Sequence, residues 1–96
     1  LGELALHDKR YFLLQGQSLA LTPREQALLT VLMYRRLRPV SRQQLFEQVF
    51  SLSDEVSPES IELYIHRLRK KLQGSDVRIA TLRGLGYVLE RSDEVG

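Results

Sequence analysis

One unmixed run of positive charge is the feature of this sequence best suited to chemistry. Residues 66–71, HRLRKK, hold Arg67, Arg69, Lys70 and Lys71 and no acid, a local charge of +4. Just upstream, residues 51–62 hold Asp54, Glu55, Glu59 and Glu62 and no base, a local charge of −4. A cationic patch beside an anionic one orients a polyanion. The same pattern also suits a plain solvated helix whose ends match its dipole. A further arginine, Arg83, heads the RGLG turn. A guanidinium can grip guanine O6 and N7 bidentately, or enter a narrow, electronegative minor groove. The bland alternative is an ordinary turn that needs Gly84 and Gly86 for positive φ, which leaves the arginine without a reason.

Other chemistries find little support. The chain has no cysteine, which excludes a disulfide framework, a thiolate metal site and a cysteine nucleophile. His66 has no carboxylate or second histidine at ligand spacing, and His7 lies in a distant segment. A surface or phosphate-contacting role suits His66 better than a catalytic or metal-binding one. No G-x-S-x-G elbow occurs, and RGLG lacks the Lys and Ser/Thr of a phosphate-binding loop. No catalytic residue, metal or cofactor is therefore expected. A small enzyme remains an alternative without a supporting constellation.

The elements that must position these residues follow from pattern. At 96 residues, 43% hydrophobic and 27% charged, the chain suits a single globular domain over residues 1–96 with a modest core. The net charge of +2 is too small to imply nucleic acid by itself. No stretch approaches the roughly 20 apolar residues that cross a bilayer, so no membrane association is expected. The start, LGELALHDKRYF, does not read as a signal peptide, and the lack of cysteine is compatible with a cytoplasmic location. A first residue of Leu1 rather than Met points to a piece of a longer protein.

Residues 2–21 read as short antiparallel strands, LALH, YFLLQ and SLALT, with Gly16 at a tight turn. Thr22, Pro23 and Glu25 make a capping box that opens a first helix, carried by Leu28, Leu29, Leu32 and Met33 and ended by Pro39. Ser41 and Gln44 cap a second helix with Leu45, Phe46, Val49 and Phe50 on one stripe. Ser57 as cap, Pro58 and Glu59 open a third, which runs to about Gln73 and stops at Gly74. VRIATL, the RGLG turn and YVLE make a closing hairpin.

At 100° per residue, Ile61, Ile65, Leu68 and Leu72 of the third helix share one narrow sector, which must face the core. Glu59, Leu63, His66, Arg67 and Lys70 fall opposite. Leu63 has no structural need to be exposed; it suits either a thymine methyl or an ordinary surface leucine.

Taken together, LTPREQALL, VSRQQLFEQVF, SIELYIHRLRKKL and TLRGLGYVL resemble the winged-helix output domain of OmpR/PhoB-type response regulators, from about Leu4 to Leu89. The wording from SLSDEVSPES to ERSDEVG narrows the resemblance to regulators of tricarboxylate transport. The resemblance implies an α+β winged helix-turn-helix: a four-stranded N-terminal antiparallel sheet, three helices and a C-terminal β-hairpin wing. It implies sequence-specific binding of double-stranded DNA at direct-repeat sites as a tandem dimer. A receiver domain, absent from this chain, and a sensor histidine kinase are implied for the full-length protein. Glu62, Leu63 and Arg67 then correspond to base-facing positions. Ser60, Tyr64, His66, Arg69 and Thr81 correspond to backbone-facing ones, and Lys70 on the same basic ridge joins them. Arg83 corresponds to the minor-groove arginine. The loop Ser51, Leu52, Ser53, Asp54, Glu55, Val56 and Ser57 corresponds to a contact with RNA polymerase. Two departures bear on the target sequence: Glu59 stands where many relatives carry a base, and the loop lacks the tryptophan common after the second helix. The alternative reading is a winged-helix interaction module that docks RNA polymerase or another partner without reading DNA.

Overall fold

Alternation of apolar and polar residues sets up the N-terminal sheet. In β1 (Leu4–His7) Leu4 is buried and Leu6 half-buried, while Ala5 and His7 face out. β1 pairs antiparallel with β2 (Tyr11–Leu14), Leu4 opposite Leu14 and His7 opposite Tyr11. Gln15 and Gly16, both at positive φ (55° and 79°), turn β2 into β3 (Gln17–Ser18). Two central residues at φ > 0 match the twist of a tight hairpin, which is why glycine stands there. The computed structural model describes residues 1–8, 10–51 and 54–92. Among these, the N-terminal sheet has three strands in the order β1-β2-β3, not the four implied by the resemblance. The expected strand SLALT contributes only Ser18. Leu19 donates its N–H to the Phe12 carbonyl at 2.9 Å. Leu19 and Leu21 then turn onto the core, which takes the chain out of the sheet and toward the first helix.

Helix α1 (Pro23–Tyr34) opens on the expected capping box: Thr22 Oγ1 accepts from the Glu25 N–H, and the Thr22 N–H donates to the Glu25 carboxylate. It ends at Tyr34, well short of Pro39. The breaker is the turn after Arg35, where Leu37 adopts φ 69° and donates to the Leu89 carbonyl. Helix α2 (Arg42–Val49) has the expected Ser41–Gln44 capping box.

Helix α3 (Ser60–Leu72) begins later than expected. Glu59 occupies the cap position and no side chain caps it. The Ser57 side chain does not play that part. Its carbonyl accepts from both the Ser60 N–H and the Ser60 hydroxyl, so Pro58 and Glu59 form a tight lead-in turn instead of the first helical turn. At the other end Gly74, at φ 85°, releases the chain as expected.

Strands β4 (Val77–Leu82) and β5 (Gly86–Arg91) form the closing hairpin, in register from Val77 opposite Arg91 to Leu82 opposite Gly86. Val40 and Tyr87 exchange two backbone hydrogen bonds, at 2.7 and 2.8 Å, which stitches the α1–α2 connection to the turn end of the hairpin. A Cβ at Gly86 would lie 2.1 Å from the Val40 carbonyl oxygen, so only glycine permits that approach.

One core unites the layers. Leu4 and Phe12 of the sheet, Leu28, Leu29 and Leu32 of α1, Leu45 of α2, Ile61, Ile65, Leu68 and Leu72 of α3 and Leu89 of β5 are all fully or almost fully buried. The architecture is a winged helix-turn-helix of the α+β class, as the sequence led us to expect.

Candidate nucleic-acid interface

The buried ridge of α3 decides what its other face can do. With Ile61, Ile65, Leu68 and Leu72 at 0–2% exposure, the 3.6-residue repeat turns Leu63, His66, Arg67 and Lys70 outward, and all four are exposed. Leu63, at 49%, has no packing duty that accounts for its position. Arg67 does not wave freely: its Cζ lies 5.6 Å from the centre of the Tyr64 ring. Tyr64 in turn meets the Phe50 ring at 5.8 Å in a tilted arrangement, so the ring beside Arg67 is itself held against the end of α2. Glu62 and Ser60 lie on the first turn of the same helix, Glu62 exposed and Ser60 half-exposed.

Arg69 is exposed but committed. Its Nε donates to the Ile79 carbonyl at 2.9 Å and its Nη2 to Thr81 Oγ1 at 2.6 Å. The two expected backbone-contacting residues, Arg69 and Thr81, are thus brought together, and their bond ties α3 to β4. The Thr81 hydroxyl hydrogen remains as a donor. Arg83 is exposed in the β4–β5 turn, flanked by exposed Leu82 and Leu85. The hairpin tip and the first turn of α3 line one groove, whose walls include Arg42, Glu62, Thr81 and Arg83.

Three positioning residues carried no signal in the sequence. Arg42 Nη1 donates to Glu62 Oε1 at 2.9 Å. Lys71, expected only to match the helix dipole, reaches back to α1: its Nζ donates to the buried Glu25 carboxylate at 2.5 Å and to the Ala20 carbonyl at 2.8 Å. Burial alone would push the Glu25 carboxyl up, but hydrogen bonds from Lys71 and Thr22 overcome it and hold the pKa below the usual glutamate value. Arg24 donates to the Val49 carbonyl and to Asp54 Oδ1, and lies 4.4 Å from the Phe50 ring centre. These partners are 20 to 51 residues apart in sequence, so no local spacing betrays them.

The α2–α3 loop is less freely acidic than its composition suggests. The Asp54 carboxylate accepts from the Ser51 N–H at 2.7 Å and pairs with Arg24 at 2.9 Å. The Ser51 N–H first, and the Arg24 charge after it, lower its pKa although burial opposes them. Glu59 is likewise lowered, by its own backbone N–H and the Ser57 hydroxyl and, more weakly, by Arg42. Glu55, Val56 and Ser57 are exposed. Leu52 and Ser53, expected in the same contact, lie outside the described residues. Among the described residues, no three His, Asp or Glu side chains gather as metal ligands, and no helix is long and apolar enough to cross a membrane.

Comparison with known proteins agrees with this geometry. Residues 16–89 match the family described as transcriptional regulatory protein, C terminal. The chain is 91% identical over 96 residues to the transcriptional regulatory protein TctD of Salmonella typhimurium, covering 100% of this chain and 43% of that protein. It is 38% identical over 94 residues to the transcriptional regulatory protein BasR of Escherichia coli, covering 97% of this chain and 41% of that one. The chain therefore spans less than half the length of these relatives. Among solved structures, the DNA-binding domain of CpxR from E. coli superposes with a TM-score of 0.76 at 33% identity, over 93% of this chain and 91% of that one.

Proposed function

The chain belongs to the family of transcriptional regulatory protein C-terminal domains, and we propose that it works by laying α3 in the major groove of duplex DNA with the β4–β5 wing on the adjacent minor groove. It is the DNA-binding output domain of an OmpR/PhoB-type response regulator that controls transcription. The observation that carries the groove reading is the division of α3: a fully buried aliphatic ridge on one side, exposed Leu63, His66 and Arg67 on the other. A helix of that width fits the major groove, where arginine reads guanine and an apolar side chain meets a thymine methyl.

In this reading Glu62, Leu63 and Arg67 face bases. Ser60, Tyr64, His66, Arg69, Lys70 and Thr81 face the sugar-phosphate backbone, which sets register without reading sequence. Arg83 enters the minor groove. The domain is not catalytic. In the full-length protein a receiver domain, addressed by a sensor histidine kinase in the cytoplasm, governs tandem pairing on direct-repeat sites. Tricarboxylate transport genes are the narrower target, in keeping with the resemblance of residues 51–96.

A second reading has its own support. Phe46, Phe50 and Val56, with Gln43, Glu47, Ser51 and Asp54, line a groove of about 460 Å³ beside the exposed loop residues Glu55 and Ser57. That surface is separate from the outer face of α3, and RNA polymerase is its proposed partner. The two roles coexist, one on each surface.

Selection of duplexes from a randomised pool, followed by salt titration, tests the DNA reading. The logarithm of the affinity is expected to fall with the logarithm of salt concentration, by about 0.9 per phosphate neutralised. Arg67→Ala is expected to weaken the selected site by about 1–3 kcal/mol and to relax one base position. Salt-insensitive binding, with Arg67→Ala as tight as the parent, leaves only the interaction module.

A further inference from the structure

Arg42 opens α2, yet its guanidinium is spent on α3. Its Nη1 donates to Glu62 Oε1 at 2.9 Å, and both side chains are substantially exposed, 43% and 60%. An exposed pair of this kind contributes little to folding, because water competes for both charges. Its location gives it another use. The pair lines the groove of about 450 Å³ that the first turn of α3 shares with the start of α2 and the wing, Arg83 included. Residues on the N-terminal turns of a groove-bound helix are the ones that meet base edges.

A lone carboxylate entering that position is repelled by the phosphates on either side. Arg42 offsets that charge. It engages Oε1 through one nitrogen, so Glu62 Oε2 is left to accept from the exocyclic amine of a cytosine, the base a carboxylate reads best. The remaining guanidinium donors of Arg42 are left for a phosphate oxygen.

We propose that Arg42 is a positioning residue for base discrimination: it holds the Glu62 carboxylate at the mouth of the major groove, so that α3 prefers a C·G pair there, and it bridges that carboxylate to a neighbouring phosphate. The inference rests on the DNA reading of α3.

The probes are duplexes recovered by this chain from a randomised pool, followed by every single-base-pair variant of the tightest one. The parent shows a C·G preference that Glu62→Gln removes at one position. Arg42→Ala lowers discrimination at that same position by about tenfold, leaves discrimination elsewhere unchanged, and reduces the salt slope by about one phosphate. Arg42→Lys restores the salt slope but only part of the discrimination, since a point charge does not reproduce the planar fork. In Arg42→Ala/Glu62→Gln, discrimination falls no further than in the worse single variant.

If Arg42→Ala weakens every duplex alike and leaves the base preference intact, Arg42 is a phosphate contact only and the positioning role is overturned while the DNA reading stands. The same holds if Glu62→Gln discriminates as the parent does. A parent that recovers no duplex overturns both. Unchanged melting of Arg42→Ala establishes that the losses are not unfolding.

Discussion

Replacing Lys71 by Met removes one charge and keeps most of the stem, so it isolates the ion pair that locks α3 against α1. Glu25 is 1% exposed, and its Oε1 accepts from Lys71 Nζ at 2.5 Å and from the Thr22 N–H at 2.9 Å. Removing one partner of a buried pair costs about 3–5 kcal/mol, because the other charge stays buried and uncompensated. Lys71 itself is 34% exposed, so water partly replaces the lost ammonium. We therefore expect a loss of about 2–3 kcal/mol. For a domain of this size that is a fall of roughly 10–20 °C in Tm. The pH dependence has a definite sign. Lys71 and Thr22 hold the Glu25 carboxyl below its unfolded value. Its contribution is complete above the unfolded pKa and is lost as pH falls through the folded one. The gap between parent and Lys71→Met is thus widest near neutrality and closes in acid. Thermal melts followed by circular dichroism at about pH 7 and about pH 3 test this. A Tm loss below about 3 °C at neutrality, or an equal gap in acid, refutes the reasoning.

Other perturbations separate the roles of the wing. Gly86→Ala brings a Cβ against the Val40 carbonyl at a φ of 117° and is expected to destabilise by more than about 2 kcal/mol, whereas Gly84→Ala meets open space and loses only about 1 kcal/mol; equal melting temperatures for the two variants contradict this. Arg69→Gln removes the tie to Ile79 and Thr81 and is expected to speed amide exchange in β4 and β5 while costing about 1–2 kcal/mol overall; unaltered exchange in the hairpin counts against a bracing role. Arg83→Ala is expected to lower DNA affinity less than Arg67→Ala and to abolish any preference for A·T-rich flanks; binding assays on duplexes differing only in their flanks decide it.

Local signals located nearly every element. The Thr22–Glu25 and Ser41–Gln44 boxes are short-range hydrogen-bond arrangements, so their letters suffice to place the starts of α1 and α2. The 3.6-residue repeat of Ile61, Ile65, Leu68 and Leu72 similarly determined which face of α3 is buried and, by elimination, that Leu63, His66 and Arg67 face solvent. In two of the places where the reading failed, a distant partner intervened. Leu37 bends the chain toward the Leu89 carbonyl and stops α1 before Pro39 can act. Leu19 and Leu21 are drawn onto the core, which cuts the expected third strand SLALT back to Ser18.

Charge pairing was the part that residues alone did not disclose. Composition counts Glu62 and Asp54 as free acids and Arg69 and Lys71 as free bases. Packing assigns each of them a partner: Arg42, Arg24, Thr81 and Glu25. Secondary structure and facing follow from interactions within a few residues, which a linear pattern records. Which cations remain free for a polyanion depends on side chains that only the folded chain brings within hydrogen-bonding reach.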